Sequence, residues 1–300
     1  MARSTVSTGM TPPPAARDVL ELLKPITWFP PMWALLCGVV SSGVSPLSRW
    51  TFLLAGIALT GPLVCGTSQA VNDWFDRHVD AINEPARPIP SGRIAGRWGL
   101  YIAIIWTVIS LAVAAFTGKW VLIATVFGLA CAWAYSAPPF RFKTSGWLGP
   151  AVVALTYEGL SWFTGAAVMA GALPSAPIIV ILALYSFGAH GIMTLNDFKA
   201  VEGDRATGLR SLPVVLGERP AALLASAVMA APQVVVIVLM VLWGHRASAV
   251  AIAILLGIQL ALMPRLVSAP AKNAPWYNAT GVSSYVLGMM AAALGLGGYV

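Results

Sequence analysis

The 300-residue sequence has little charge, since Lys, Arg, Asp and Glu together make up only 10% of it. A soluble globular protein carries about 25% charged residues. Hydrophobic residues account for 58% of the chain, and the mean hydropathy is +0.79. This composition excludes an ordinary soluble domain and indicates a polytopic protein of the lipid bilayer.

Cysteine is also scarce. Cys37, Cys65 and Cys131 all lie inside apolar runs without the spacing of metal ligands, and we interpret them as packing residues. Residues 1–17 are polar and rich in Pro and Ala, and they lack the apolar segment of a signal peptide. We expect a disordered N-terminus at 1–17 and a single transmembrane domain at 18–300.

Nine apolar runs approach the length of about 20 residues that a bilayer-crossing helix needs. The expected fold class is therefore an all-α integral membrane protein, a bundle of about nine transmembrane helices. The turn near Lys119 is very short. The runs lie at 26–44, 51–72, 98–117, 119–136, 148–170, 176–196, 221–243, 247–267 and 280–299.

The net charge of +7 does not indicate a nucleic-acid partner, because the basic residues lie in short loops between apolar runs. Fifteen of the eighteen Lys and Arg residues lie at the N-terminus or in the loops after the even-numbered runs. Loops rich in Lys and Arg stay in the cytoplasm. Ten of the eleven acidic residues lie on the same side, and Glu158 alone falls within a span. The chemistry is therefore expected at the cytoplasmic face.

A cluster of acidic residues follows the second apolar run. Asp73, Asp76 and Asp80 are three and four residues apart, so a helix places them on one face. Aligned carboxylates repel one another unless cations lie between them. We therefore predict a pair of Mg2+ ions, which take oxygen ligands and leave positions for a phosphate. The alternative is a solvated loop, but topology depends on Lys and Arg and does not require aligned acids.

A weaker copy of this motif lies 124 residues further along the chain. Asn196-Asp197 correspond to Asn72-Asp73, and Asp204 corresponds to Asp80. Ala200 replaces the middle carboxylate, and Glu202 is the candidate substitute. The repeat predicts two acidic half-sites that face each other across the bundle. The alternative for Asp204 is that it only caps or ends a helix beside Gly203.

Acidic motifs with interleaved cations suit a diphosphate, because metal ions and cations stabilise the charge of a departing diphosphate. Cleavage of an allylic diphosphate leaves a carbocation, which needs a dry pocket with aromatic faces. The candidate shields are Trp28, Phe29, Trp33, Trp74, Tyr135, Trp162 and Tyr185. The candidate cations for the diphosphate are Lys24, Arg77, Arg87, Arg141, Lys143 and Arg205.

Four stretches of the chain, at 23–33, 72–92, 135–143 and 196–217, resemble the UbiA superfamily of intramembrane prenyltransferases. The combination of 80–85 with 196–205 is most similar to its chlorophyll and bacteriochlorophyll synthase branch, and 28–33 to the purple-bacterial bacteriochlorophyll a synthases. A bacterial source is expected, because the N-terminus has no plastid transit peptide.

The resemblance implies Mg2+-dependent transfer of a geranylgeranyl or phytyl group from its diphosphate. The acceptor would be the propionate carboxylate of a bacteriochlorophyllide or chlorophyllide. It also implies that Asn72, Asp73, Asp76 and Asp80 form the first metal-binding motif and that Asp197 and Asp204 form the second. Tyr135, Arg141 and Lys143 match a loop that contributes to the diphosphate site in the family.

Several alternatives remain open from the sequence. Glu158 is a candidate for substrate binding or for a structural hydrogen bond, and His190 for ligation of a chlorin magnesium or for packing. With Trp28 they form the candidate acceptor pocket. The acceptor could instead be an aromatic acid, homogentisate or haem. A transporter is the non-enzyme alternative, but it would place charges near the bilayer midplane.

Overall fold

A computed structural model describes residues 12–300 of the chain. This range is helical and has no β-strand, only an isolated parallel bridge between Ser145 and Arg210. Most of the predicted disordered segment, residues 1–11, lies outside the described residues, and Ala16 and Arg17 already belong to the first helix. The helices are α1 (Ala16–Leu22), α2 (Phe29–Ser41), α3 (Pro46–Asn83), α4 (Trp98–Thr117), α5 (Lys119–Ser136), α6 (Leu148–Ala170), α7 (Ala176–Asp197), α8 (Val201–Thr207), α9 (Leu212–Leu216), α10 (Glu218–Leu242), α11 (Arg246–Ser268) and α12 (Pro270–Leu296).

Eight of these helices are long and apolar enough to cross a membrane, namely α3 to α7 and α10 to α12. The segment Ala16–Thr27 and α2 together form a ninth candidate, bent by 59° between its two parts. The prediction of an all-α bundle with about nine spans is confirmed. These helices show that the chain is a multi-pass membrane protein.

Two helix boundaries differ from the prediction by ten residues or more. Helix α3 continues to Asn83 instead of ending at residue 72, so the whole first acidic motif is helical. Helix α12 begins at Pro270, ten residues before the expected start, because proline suits the first turn of a helix. The short turn before Lys119 consists of Gly118, whose φ of 129° is accessible to glycine.

Helices α3 and α6 each contain a π-helical segment. The first is Leu59–Cys65, which includes Pro62, and the second is Leu155–Leu160. Proline has no backbone N–H and cannot continue a regular α-helical ladder, which gives a local cause for the first segment. Such segments are rare and occur frequently at functional sites.

Close helix packing holds the two halves of the bundle together. A Cβ on Gly38 of α2 would lie 2.0 Å from the Trp162 carbonyl oxygen, and one on Gly165 of α6 would lie 2.0 Å from the Leu35 carbonyl oxygen. These two helices therefore pack backbone against backbone, as small residues allow in membranes. Buried apolar clusters lie on either side, one among α2, α6, α7 and α10 to α12 and others around α3 to α5.

Candidate active site

A cavity of about 740 Å³ lies between α3, α5, α6 and α7. Its polar end is formed where α3, α5 and α7 end and α6 begins, together with the loops that follow α5 and α7. The other end lies among apolar and small side chains in the interior of the bundle, such as Leu59, Ala124 and Leu160. The cavity therefore combines a charged entrance with an apolar interior.

Two carboxylates of the first motif line this cavity, Asp76 and Asp80. Asn72 lines it as well, and its Nδ2 donates hydrogen bonds to Asp76 Oδ2 at 2.9 Å and to Ser136 Oγ at 3.1 Å. Asp76 also accepts a hydrogen bond from Lys143 Nζ. Asp80 pairs with Arg87 at 2.8 Å.

Asp73 does not line the cavity, contrary to the expectation that three carboxylates share one site. It lies about 60° around α3 from Asp76, at the border of the cavity face. Its side chain is buried and accepts a hydrogen bond of 2.7 Å from Lys24, with Arg87 at 3.4 Å. Its Oδ2 atom has no hydrogen-bond partner among the described residues. Asp73 is therefore surrounded by cations of the protein itself.

The second motif lies across the same cavity. Asp197, the last residue of α7, and Asp204 in α8 both line it. Ala200 leaves a gap between them in the chain. Glu202 is exposed and lies outside the cavity lining, so it does not replace the missing carboxylate. The structure thus brings Asp76 and Asp80 together with Asp197 and Asp204 around one space.

Two cations that form no salt bridge also line the cavity. The side chain of Arg141 makes no hydrogen bond or ion pair with any residue in 12–300. Neither does that of Lys199, which the sequence analysis did not single out, although its charge acts on the nearby Asp197. Arg141 has a φ of 43°, and Lys24, with 48°, is the other described non-glycine residue in the left-handed region. Backbone strain of this kind is concentrated at functional sites. Arg141 and Lys199 are available for an anion, with Lys143 and Tyr135 beside them.

The remaining predicted cations lie outside the cavity lining. Lys24 and Arg87 pair with Asp73, as described above. Arg77 lies over the Trp74 ring at 4.2 Å and donates to the Trp74 carbonyl oxygen at 2.6 Å. Arg205 is exposed. These four side chains therefore support the site or its surroundings and do not enter the cavity.

The three residues of the predicted acceptor pocket also lie outside the cavity lining. Trp28 donates from Nε1 to the Leu23 carbonyl oxygen at 2.8 Å. Glu158 is 3% exposed, and its charge acts on the buried Cys37 of α2. His190 Nε2 lies 3.1 Å from the Trp147 carbonyl oxygen, which makes Nε2 a donor and removes it as a metal ligand. The three do not form one pocket.

Two loops that close the charged end are joined by backbone contacts. The Gly146 N–H donates to the Arg210 carbonyl oxygen at 2.9 Å, next to the bridge between Ser145 and Arg210. This contact connects the loop of Arg141 and Lys143 to the segment that follows Asp204. On the other side of α3, Arg93 binds Glu21 and Asp18 of α1, and these hydrogen bonds raise the pKa of Arg93. The connecting segments are thus fixed on both sides of the first motif.

The sequence analysis missed a polar group deeper in the cavity. Tyr157, in the π-helical segment of α6, receives hydrogen bonds from Gln69 Nε2 at 3.1 Å and Cys65 Sγ at 3.2 Å. All three line the cavity. The spacing of Gln69, Asn72 and Asp76 at i, i+3 and i+7 places them on one helical face, and this signal could have identified Gln69.

The cavity suits Mg2+, whose preferred ligands are oxygen atoms. Asn72, Asp76 and Asp80 offer oxygens from one wall, and Asp197 and Asp204 offer them from the other. In residues 12–300, no three acidic, His or Cys side chains converge closely enough to enclose an ion. Magnesium is typically held by one or two carboxylates and by substrate phosphates, so these residues fit ions that a diphosphate helps to bind.

Comparison with known proteins decides the family. Residues 28–296 match the UbiA prenyltransferase family. The chain belongs to this family. A bacteriochlorophyll synthase 33 kDa chain from Cereibacter sphaeroides is 60% identical over 95% of this chain and 94% of its own length. A chloroplastic chlorophyll synthase from Oryza sativa is 40% identical over 66% of this chain and 54% of its own length.

The solved structure of a UbiA homologue from Archaeoglobus fulgidus bound to DMAPP and Mg2+ has a TM-score of 0.69 against this protein. It covers 91% of this chain and 99% of the homologue at 21% identity, which shows a common fold. The UbiA family assignment makes the protein a prenyltransferase. It also leaves the transporter alternative without support.

Proposed function

We propose that this UbiA protein transfers a geranylgeranyl or phytyl group from its diphosphate to the propionate carboxylate of bacteriochlorophyllide a. The observation that carries the proposal is the cavity in which both acidic motifs meet Arg141 and Lys199. The choice of acceptor follows the 60% identity to a bacteriochlorophyll synthase, against 40% to a chlorophyll synthase. Chlorophyllide is the second candidate acceptor.

The charged end of the cavity binds the diphosphate. Arg141, Lys143 and Lys199 bind its oxygens and stabilise the charge that develops as the C–O bond breaks. Tyr135 lines the same end. The prenyl chain lies in the apolar interior, where water is excluded from the allylic carbocation. One oxygen of the acceptor carboxylate then bonds to the carbon that leaves the diphosphate, and no proton needs to be removed.

Two Mg2+ ions complete the proposal, one at each acidic motif. Asn72, Asp76 and Asp80 would hold the first, and Asp197 and Asp204 the second. A bound Mg2+ supplies positive charge that neutralises the diphosphate and favours its departure. Each motif supplies two carboxylates to the cavity, and Asn72 adds an amide oxygen to the first, so we assign the larger share of metal binding to the first motif. Asp73 holds Lys24 and Arg87 in place beside it.

We assign the charged end to the cytoplasmic side of a bacterial membrane. This orientation rests on the distribution of Lys and Arg, fifteen of eighteen of which belong to the N-terminus or to the loops after the even-numbered apolar runs. Bacteriochlorophyllide and the prenyl diphosphate would both reach the cavity at the membrane surface.

One assay tests the function. Membranes that contain the protein are incubated with bacteriochlorophyllide a and geranylgeranyl diphosphate in Mg2+ or in EDTA, and the esterified pigment is separated by chromatography. We expect ester in Mg2+ and none in EDTA. Parallel reactions with chlorophyllide a, and with phytyl diphosphate, rank the substrates. A complete lack of Mg2+-dependent ester with all four pairs would overturn the proposal.

A further inference from the structure

The polar group of Cys65, Gln69 and Tyr157 lies in a part of the cavity where a prenyl chain needs only apolar neighbours. Gln69 is three residues before Asn72 on α3, which places it about 4.5 Å deeper in the bundle. In the proposed function this depth lies next to the diphosphate, where the reacting carbon would be. A polar side chain at this depth is costly unless it has a partner.

Tyr157 has a proton to donate into this space. Its hydroxyl oxygen accepts a hydrogen bond from Gln69 Nε2, which is a donor only. A second neighbour, Cys65 Sγ, donates to the same oxygen at 3.2 Å, and the Thr27 carbonyl oxygen at 3.5 Å is the alternative acceptor for this thiol. Ser68, whose own hydroxyl donates to the Cys65 carbonyl oxygen at 2.7 Å, is the other polar side chain that interacts with the phenol. No oxygen or nitrogen of residues 12–300 lies in the geometry of a regular hydrogen bond from the Tyr157 hydroxyl, so the acceptor carboxylate has to compete only with Ser68 for this proton.

The geometry of the two π-helical segments aims these side chains at each other. Cys65 is the last residue of Leu59–Cys65, and Tyr157 lies within Leu155–Leu160. They are therefore the contact between the two irregular segments of the cavity wall. An irregular backbone that positions a hydrogen-bond donor in a cavity is a common feature of functional sites.

We propose that the Tyr157 hydroxyl binds the carboxylate of the acceptor, with Gln69 and Cys65 holding the hydroxyl in position. The inference rests on the proposed function and concerns the same cavity. Arg141, Lys143 and Lys199 are occupied by the diphosphate, so the carboxylate needs a different donor. Tyr157 binds one carboxylate oxygen and leaves the other to form the ester bond. It keeps its proton throughout.

The test is the variant Tyr157→Phe, which removes only the hydroxyl. A hydrogen bond to a charged group contributes about 1.5–3 kcal/mol, so the KM for bacteriochlorophyllide a should rise about 10- to 100-fold. The KM for geranylgeranyl diphosphate should stay unchanged. Tyr101→Phe is the matched control, because Tyr101 is 45% exposed on α4 and lies outside the cavity lining.

A binding measurement separates this role from general damage. The methyl ester of bacteriochlorophyllide a has no free carboxylate, so its affinity should be equal in wild type and Tyr157→Phe, while that of the free acid falls. Should Tyr157→Phe bind neither pigment, the same titration on Gln69→Leu decides, with the same selective loss expected.

The outcomes distinguish the two proposals. No ester from the wild-type protein would overturn the proposed function. An active wild type with an unchanged acceptor KM in Tyr157→Phe would overturn only the role of Tyr157. A change confined to the KM for the prenyl diphosphate would overturn it as well, and would place the hydroxyl beside the prenyl chain.

Discussion

Lys24 donates a hydrogen bond of 2.7 Å to Asp73, and this contact gives Asp73 a different environment from Asp76 of the same motif. Asp73 is 1% exposed and is paired with cations of the protein. Asp76, three residues later, lines the cavity. The first carboxylate therefore stabilises the wall of the site, and the second belongs to its interior.

The Lys24–Asp73 pair should be measurable as stability. Removing one partner of a buried pair leaves a charge uncompensated, and since Arg87 remains nearby we expect Lys24→Met to lower the free energy of unfolding by about 2 kcal/mol. Thermal unfolding in detergent measures the change. The double variant Lys24→Met/Asp73→Asn removes both charges and should recover most of the loss. A double variant less stable than the single one would contradict this role.

Asp76 should be needed for turnover and dispensable for folding. Asp76→Asn removes a charged ligand from the cavity, and we expect the rate of ester formation to fall by about 100-fold or more while the melting temperature changes little. Glu202→Gln is the matched control, because Glu202 is exposed near the second motif and lies outside the cavity lining. Near-normal turnover in Asp76→Asn would mean that the metal assignment is wrong.

Arg141 and Lys199 should act on the diphosphate. Neither side chain forms a hydrogen bond or salt bridge within residues 12–300, so Arg141→Gln and Lys199→Gln should each raise the KM for the prenyl diphosphate by about tenfold or more. The KM for bacteriochlorophyllide a should stay unchanged. Arg219→Gln, an exposed arginine at the start of α10, serves as the control. Equal changes in both KM values would argue against direct diphosphate binding.

Gly146 should be required by the contact between the two loops. A Cβ there would lie 2.4 Å from the Arg210 carbonyl oxygen and 2.8 Å from the Leu212 nitrogen, both of them backbone atoms. Gly146→Ala should therefore cost about 1–3 kcal/mol of stability. It should also reduce turnover, because the loop carries Arg141 and Lys143.

The control for this variant is Gly257→Ala in α11, where an added Cβ meets no atom within 4 Å. It should leave turnover unchanged and keep or raise the melting temperature, since alanine favours a helix. Unfolding curves and ester formation on the same preparations compare the two. An unaffected Gly146→Ala protein would show that the loop contact is dispensable.

Much of the bundle could be predicted from apolar runs, because the bilayer sets the length of a span and the spans at 98–117, 119–136 and 148–170 agree with α4, α5 and α6. Helix α3 was predicted too short, since its last turns carry charged residues and no longer register as apolar. The 124-residue repeat predicted two acidic half-sites that face each other, and Asp76 and Asp197 do line one cavity. Glu202, the candidate substitute carboxylate, lies outside the cavity lining, and His190 has the hydrogen bond of its packing alternative. Proximity in sequence could not decide either case, because it does not show where a side chain points.

The sequence by itself determined the class of protein, the acidic motifs and the resemblance to the UbiA superfamily, because composition and spacing are local properties. The tertiary structure decided which charged residues line the cavity and which stabilise its wall. Lys24 and Asp73 are 49 residues apart, and Gln69 and Tyr157 are 88 apart. Helical periodicity places each side chain on a face, but its partner depends on which helix packs against that face.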